Sequence, residues 1–286
     1  MKTAIVGLGL IGGSLAKAIK KNTQHSCFGF DINADAVKSA LEQEAIDGEI
    51  TADKLSSCDI VIVSLHPVQT IDFILANKDN FRKGGIVIDT CGVKGEIVKA
   101  VEKPLAEAGV SFLGCHPMAG REFSGFAYSV DNLFEKASFI MTPTQDTPKE
   151  IIDAVSAFAY ETGFAKVVVS DTQEHDEIIA YTSQLAHIVS SSYVKSPSLM
   201  RQAGFSAGSF KDLTRVAKLN EDMWTPLFMM NKDALVNEID HIITHLTEYR
   251  DSIAAGDSER LHGLLKDGRE LKELSNEQVA KIELGK

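Results

Sequence analysis

His116 is the residue of this sequence best suited to exchange a proton near neutral pH, because it stands just past the apolar run Val110–Gly114, which reads as a strand. It belongs to the segment His116-Pro117-Met118-Ala119-Gly120, within the loop expected at Cys115–Glu122. Two further polar sets follow. Ser183 and His187 are four residues apart in a stretch of helical periodicity and therefore share one face. Phe210-Lys211-Asp212-Leu213-Thr214-Arg215 reads as a loop that brings up an arginine, whose planar guanidinium can grip a carboxylate with two hydrogen bonds where a lysine offers a point charge.

A fourth set opens the chain. Thr3-Ala4-Ile5-Val6 runs into Gly7-Leu8-Gly9-Leu10-Ile11-Gly12-Gly13 and then into Ser14–Ile19, the order strand, tight turn, helix. Gly7 permits the turn, Gly9 lets the backbone approach a pyrophosphate, and Gly12 lets the helix pack on the strand, with Leu10 and Ile11 at the helix N-terminus that faces the anion. A second strand, Ser26–Phe30, ends in Asp31 about twenty residues past Gly12, where a carboxylate accepts both ribose hydroxyls and repels a 2′-phosphate. These residues indicate a Rossmann domain that prefers NAD. Ser64, which closes the apolar strand Asp59–Ser64, joins them on the cofactor side.

Alternating elements are needed to hold such residues, and the sequence supplies them. A helix is expected over Asp35–Glu44, then the strand Asp59–Ser64, a helix at Val68–Leu75, a strand at Gly85–Asp89, a helix at Glu96–Ala108 and the strand Val110–Gly114. Ala137–Met141 and Ala165–Val169 read as the last strands, with a helix over Pro148–Glu161 between them. This is the pattern of a doubly wound sheet, whose ligands sit beyond the carboxyl ends of its strands. From Asp171 on only helical periodicity remains, in Gln173–Val194, Thr225–Arg250 and from Ser258 to near Glu283. The fold class expected is therefore α/β, with a Rossmann domain at 1–170 and an all-helical domain at 171–286.

Composition bounds the partners. With 29 Lys and Arg against 40 Asp and Glu the net charge is −11, which argues against nucleic acid and anionic membranes. No apolar run is long enough to span a bilayer, and the four cysteines lack zinc spacing, so a reducing cytoplasm and no metal are expected. Ile239, Ile242, Ile243 and Leu246 form an apolar helix stripe that suits a homodimer.

Taken together, His116-Pro117-Met118-Ala119-Gly120, Ser183-x-x-x-His187 and Lys211-Asp212-x-Thr214-Arg215, in this order behind the glycine fingerprint, closely resemble the prephenate dehydrogenase family over nearly the whole chain. The resemblance implies a helical dimerisation domain, a catalytic role for His116, and substrate-binding roles for Ser183, His187 and Arg215. It implies NAD-dependent oxidative decarboxylation of prephenate to 4-hydroxyphenylpyruvate in tyrosine biosynthesis; with no room for a separate amino-acid-sensing domain in 286 residues, any tyrosine inhibition is expected at the active site. Two positions depart from the family pattern. Gln184-Leu185-Ala186 stands where His-Leu-Pro is usual, and Gly92 stands where a serine often precedes Val93-Lys94, so the hydrogen bond of that hydroxyl is either missing or supplied by Thr90 or Cys91. Arogenate is the rival substrate. A hydroxy-acid or imine reductase is less consistent, since such enzymes rely on a lysine on the interdomain helix and Gln173–Val189 has none. A dinucleotide-binding regulator without turnover would leave the histidines and the arginine unexplained.

Overall fold

The computed structural model describes residues 1–121 and 123–283. Glu122, the end of the loop singled out above, and residues 284–286 lie outside the described residues. Eight strands form one sheet: β1 (Lys2–Val6), β2 (Ser26–Phe30), β3 (Gly48–Glu49), β4 (Ile60–Val63), β5 (Ile86–Asp89), β6 (Ser111–Pro117), β7 (Ser138–Thr142) and β8 (Lys166–Val169). Their spatial order is β3-β2-β1-β4-β5-β6-β7-β8, so the order reverses between β1 and β4. Such a reversal opens a crevice at the carboxyl ends of the strands. The connections run through α1 (Leu10–Asn22), α2 (Ala34–Glu42), α3 (Pro67–Ala76), α4 (Gly95–Glu107) and α5 (Lys149–Glu161).

Both faces of the sheet are covered, which explains its unbroken apolar strands. The core on one face includes Ile5 of β1 with Leu15, Ile19, Phe139 and Phe158, and that on the other includes Ala4 and Val6 with Ile74, Val87, Ile97 and Val101.

Several features depart from the sequence expectations. β3 is only two residues long, too short to carry an alternating pattern. β7 runs antiparallel to β6, whereas every other pairing is parallel. This antiparallel partner extends β6 beyond Gly114, so His116 lies in the strand opposite Ile140 and not in a loop. The expected loop Phe210–Arg215 is largely helical, as shown next.

The expected helix Gln173–Val194 is continuous but irregular. It consists of α6 (Thr172–Ile179), a wide π turn over Ala180–Leu185, and α7 (Ala186–Tyr193), and Asp171 caps it by accepting from the Glu174 N–H at 2.8 Å. α8 (Gly208–Thr214) follows, with Arg215 as its C-terminal cap. The segment expected as one helix over Thr225–Arg250 breaks at Asn231 into α9 (Glu221–Met230) and α10 (Lys232–Ala255). α11 (Ser258–Glu283) ends the described chain.

The chain packs as two compact units, residues 1–234 and the remainder from Leu235. The second contains most of α10 and all of α11, joined at Gly256, whose φ of +65° suits a residue without a Cβ. There the Tyr249 hydroxyl donates to the Leu264 carbonyl at 3.1 Å.

Candidate active site

The glycine turn and Asp31 meet at the crevice between β1 and β4. A Cβ on Gly7 would lie 2.4 Å from the Ser64 carbonyl oxygen, and one on Gly12 would lie 1.9 Å from that of Gly7. A Cβ on Gly9 would meet no atom within 4 Å, so this glycine borders open space at the start of α1. No side chain caps that helix, and the unpaired first-turn N–H groups around Leu10 and Ile11 suit an anion. Asp31 closes the cradle: its carboxylate accepts from Leu8 N–H at 2.6 Å and Asn33 N–H at 2.8 Å. A dinucleotide fits these residues by shape and by donor set.

Farther along the strand ends, Thr90 donates to the Ser64 hydroxyl at 3.0 Å. The Cys91 thiol sits against Thr70 and the Leu65 carbonyl. Both groups that could have replaced the family serine are therefore engaged elsewhere. Gly92 itself faces His116: a Cβ there would stand 3.7 Å from His116 Nε2 and 4.0 Å from the Leu227 side chain.

Beneath His116 lies a buried ion pair. β5 pairs with β6 only as far as Leu113, which leaves the peptide groups of Cys115 without a strand partner on that side. Asp89 and Lys94, both wholly buried, take that place. The Asp89 carboxylate accepts from Cys115 N–H at 3.0 Å and Cys91 N–H at 2.9 Å, and Lys94 donates to Asp89 and, at 2.6 Å, to the Cys115 carbonyl. An ion pair thus substitutes for backbone hydrogen bonds where the strand outruns its neighbour.

His116 Nδ1 lies 3.0 Å from Nε2 of His175 on α6, with the two rings edge to face at a centroid distance of 5.2 Å. The other nitrogen of His175 lies 2.7 Å from Asp176, whose carboxylate accepts the N–H groups of Lys94 and Gly95 at 2.8 Å each. Although His116 retains some surface exposure, its surroundings hold its pKa well below the usual 6.5, chiefly by burial and then through His175 and Lys94. It is a neutral imidazole at physiological pH.

A second wall comes from the helices. His187 Nδ1 donates to the Val216 carbonyl at 3.1 Å, and the ring rests on Trp224 with centroids 4.0 Å apart. Burial lowers its pKa; the Val216 hydrogen bond opposes this, and the Arg215 charge adds to it. Arg215, exposed, is therefore within electrostatic range of His187, and Ser183 is half-buried in the π turn one helical turn before it. Trp224 and Leu227, three residues apart on α9, connect this wall to Gly92 and hence to His116. Gln184 is wholly internal: it donates to the Leu227 carbonyl at 3.3 Å and accepts from Asn231 at 2.8 Å, and Asn231 also holds the Asp176 carbonyl.

Sequence reasoning missed His175, Asp176, Lys94 and Asp89. One signal was available. His175 precedes Ile179 by one helical turn, which puts an ionisable ring on the apolar face of α6.

Comparison with known proteins identifies the family and the fold. The family described as "Prephenate dehydrogenase, nucleotide-binding domain" matches residues 15–169, and "Prephenate dehydrogenase, dimerization domain" matches residues 171–267. The chain is 30% identical over 285 residues to a prephenate dehydrogenase of Bacillus subtilis, an alignment covering 94% of this chain and 74% of that one. Its fold resembles the crystal structure of A. aeolicus prephenate dehydrogenase in complex with hydroxyphenyl propionate and NAD+ (TM-score 0.86, 29% identity, 96% of this chain and 98% of that one). It also resembles Synechocystis arogenate dehydrogenase (TM-score 0.81, 25% identity, 96% and 100%).

Proposed function

The chain belongs to the prephenate dehydrogenase family, and on that premise we propose that it oxidises and decarboxylates prephenate to 4-hydroxyphenylpyruvate, with His116 as the base. NAD is its cofactor and, when bound, would supply the acceptor for a hydride from C4 of the ring. Gly7, Gly9, Leu10, Ile11 and Gly12 would hold its pyrophosphate, Asp31 would hold its ribose hydroxyls, and Ser64 would line the same cofactor side. His116 Nε2 accepts the proton of the 4-hydroxyl as the hydride departs, and returns it to the phenolate oxygen once the ring carboxylate has left as carbon dioxide. Arg215 clamps a substrate carboxylate, and His187 and Ser183 orient the ring system from the helical wall.

The observation that carries this reading is the neutral His116, tied at Nδ1 and facing Gly92 with Nε2. A base kept unprotonated and fixed in a strand suits proton abstraction from an alcohol. Replacing His116 with Asn should lower kcat by ~10²–10⁴ while NAD affinity, read by fluorescence titration, stays nearly unchanged. Full turnover in that variant excludes His116 as base. The assay is run with prephenate and with arogenate, because the likeness to the Synechocystis enzyme favours the second substrate as a rival.

We further assign residues 1–170 to cofactor binding and 171–286 to substrate binding and dimerisation. The enzyme is read as a cytoplasmic homodimer without nucleic-acid or membrane partners. The named dimerisation domain and four buried, unbridged cysteines support this reading. Among the described residues no helix is long and apolar enough to cross a membrane.

A further inference from the structure

Asp176 is bracketed by the opening of α4. Its Oδ1 accepts Lys94 N–H and its Oδ2 accepts Gly95 N–H, each at 2.8 Å, so the carboxylate is fixed in position and can only accept. His175 Nδ1, 2.7 Å from Oδ1, must then carry a proton. In the neutral ring this leaves the lone pair of His175 on Nε2, which lies 3.0 Å from His116 Nδ1. Two lone pairs do not face each other at that distance, so His116 in turn carries its proton on Nδ1. Its own lone pair falls on Nε2, the nitrogen that faces Gly92.

We infer that His175, anchored by Asp176, is the positioning residue that selects the Nδ1–H tautomer of His116 and thereby presents a bare Nε2 to the substrate hydroxyl. This role rests on His116 being the base. The remaining charges nearby do not compete for the ring: the Lys94 ammonium is spent on Asp89 and the Cys115 carbonyl, and Asp89 on Lys94 and two backbone N–H groups. The side chain of His175 is out of contact with solvent, so water offers no alternative partner. When Nε2 takes the substrate proton, the Nδ1–H of His116 remains bonded to His175, and Asp176 behind it stabilises the positive charge. The opposite arrangement, a protonated His175 donating to His116 Nδ1, would put the proton on Nε2 and leave no base.

The tautomer is measured directly by ¹⁵N NMR of the ligand-free protein labelled at histidine, with the His116 signals assigned by their loss in His116→Asn. The expected wild-type spectrum has a pyrrole-type Nδ1 and a pyridine-type Nε2; the inverse pattern overturns the proposal without any variant having to fold. In His175→Leu the pattern should shift toward the Nε2–H form, and kcat should fall about 10-fold or more with KM for the substrate nearly constant. His175→Gln keeps an acceptor within reach of Nδ1 and should restore both the spectrum and much of kcat. Unchanged His116 signals in His175→Leu refute the role. Because the spectrum needs no substrate, the expected tautomer in an enzyme that fails to oxidise prephenate would sink the reaction reading while leaving the selection of the Nδ1–H tautomer by His175 standing.

Discussion

Lys94 and Asp89 form an ion pair that never reaches solvent and that completes the hydrogen bonding of Cys115, the residue just before His116. Removing one member strands the other charge in the core. Lys94→Met should therefore cost roughly 3–5 kcal/mol in urea denaturation, and adding Asp89→Asn should recover part of that loss. A cost below about 1 kcal/mol would mean that the pair is not structural.

His116 and His187 both have folded-state pKa values below the ordinary 6.5, in each case mainly through burial. The unfolded chain then binds protons first, so stability is complete above about pH 6.5 and is lost as pH falls toward the folded-state values. The urea midpoint should drop between about pH 7 and about pH 5, less steeply in His116→Asn. The acid limb of kcat/KM should lie below pH 6.5. An acid limb at or above that value contradicts the burial argument.

Arg215 is the cation beside His187, on a chain whose net charge is −11. If it clamps a substrate carboxylate, Arg215→Ala raises KM about 10- to 100-fold with a smaller change in kcat, and Arg215→Lys recovers only part of the affinity. An unaltered KM with a wild-type melting temperature removes the clamp.

Asp31 is fixed by two backbone N–H groups at the end of β2, and no arginine follows it in Ile32-Asn33. NAD should exceed NADP in kcat/KM by at least about 10- to 100-fold, and Asp31→Ser should narrow that ratio mainly by weakening NAD. Equal use of both cofactors by the wild-type enzyme argues against the ribose contact.

Ile243 and Leu246 on α10 are 54% and 60% exposed in the single chain. A homodimer built on this stripe should come apart when both are replaced by Glu, as read by light scattering at micromolar concentration. A monomeric wild-type protein under those conditions rules out the assembly.

Most of the sheet was legible because a strand covered on both faces must be continuously apolar, as in Ile60–Val63 and in Ile86, Val87 and Ile88. Strand direction was not. Nothing in Ser138–Thr142 distinguishes an antiparallel partner from a parallel one, and that partner is what draws His116 into a strand. The cofactor cradle could be read from spacing because its parts are local in sequence. The Asp89–Lys94 pair and the His175–Asp176 pair could not, since each acquires its meaning from residues brought together only by the fold, 59 positions apart in the case of His116 and His175.

The π turn at Ala180–Leu185 divides one helix between two tasks. The extra residue in such a turn offsets everything after it by about 100° around the axis, so His175 upstream and His187 downstream are aimed independently although they share a rod. Evolution, or a protein engineer, thus has a phase adjustment at this point. Lengthening or shortening the turn by one residue re-aims the wall that carries His187 while the histidine behind His116 keeps its bearing, so one side of the helix can be reshaped without moving the other.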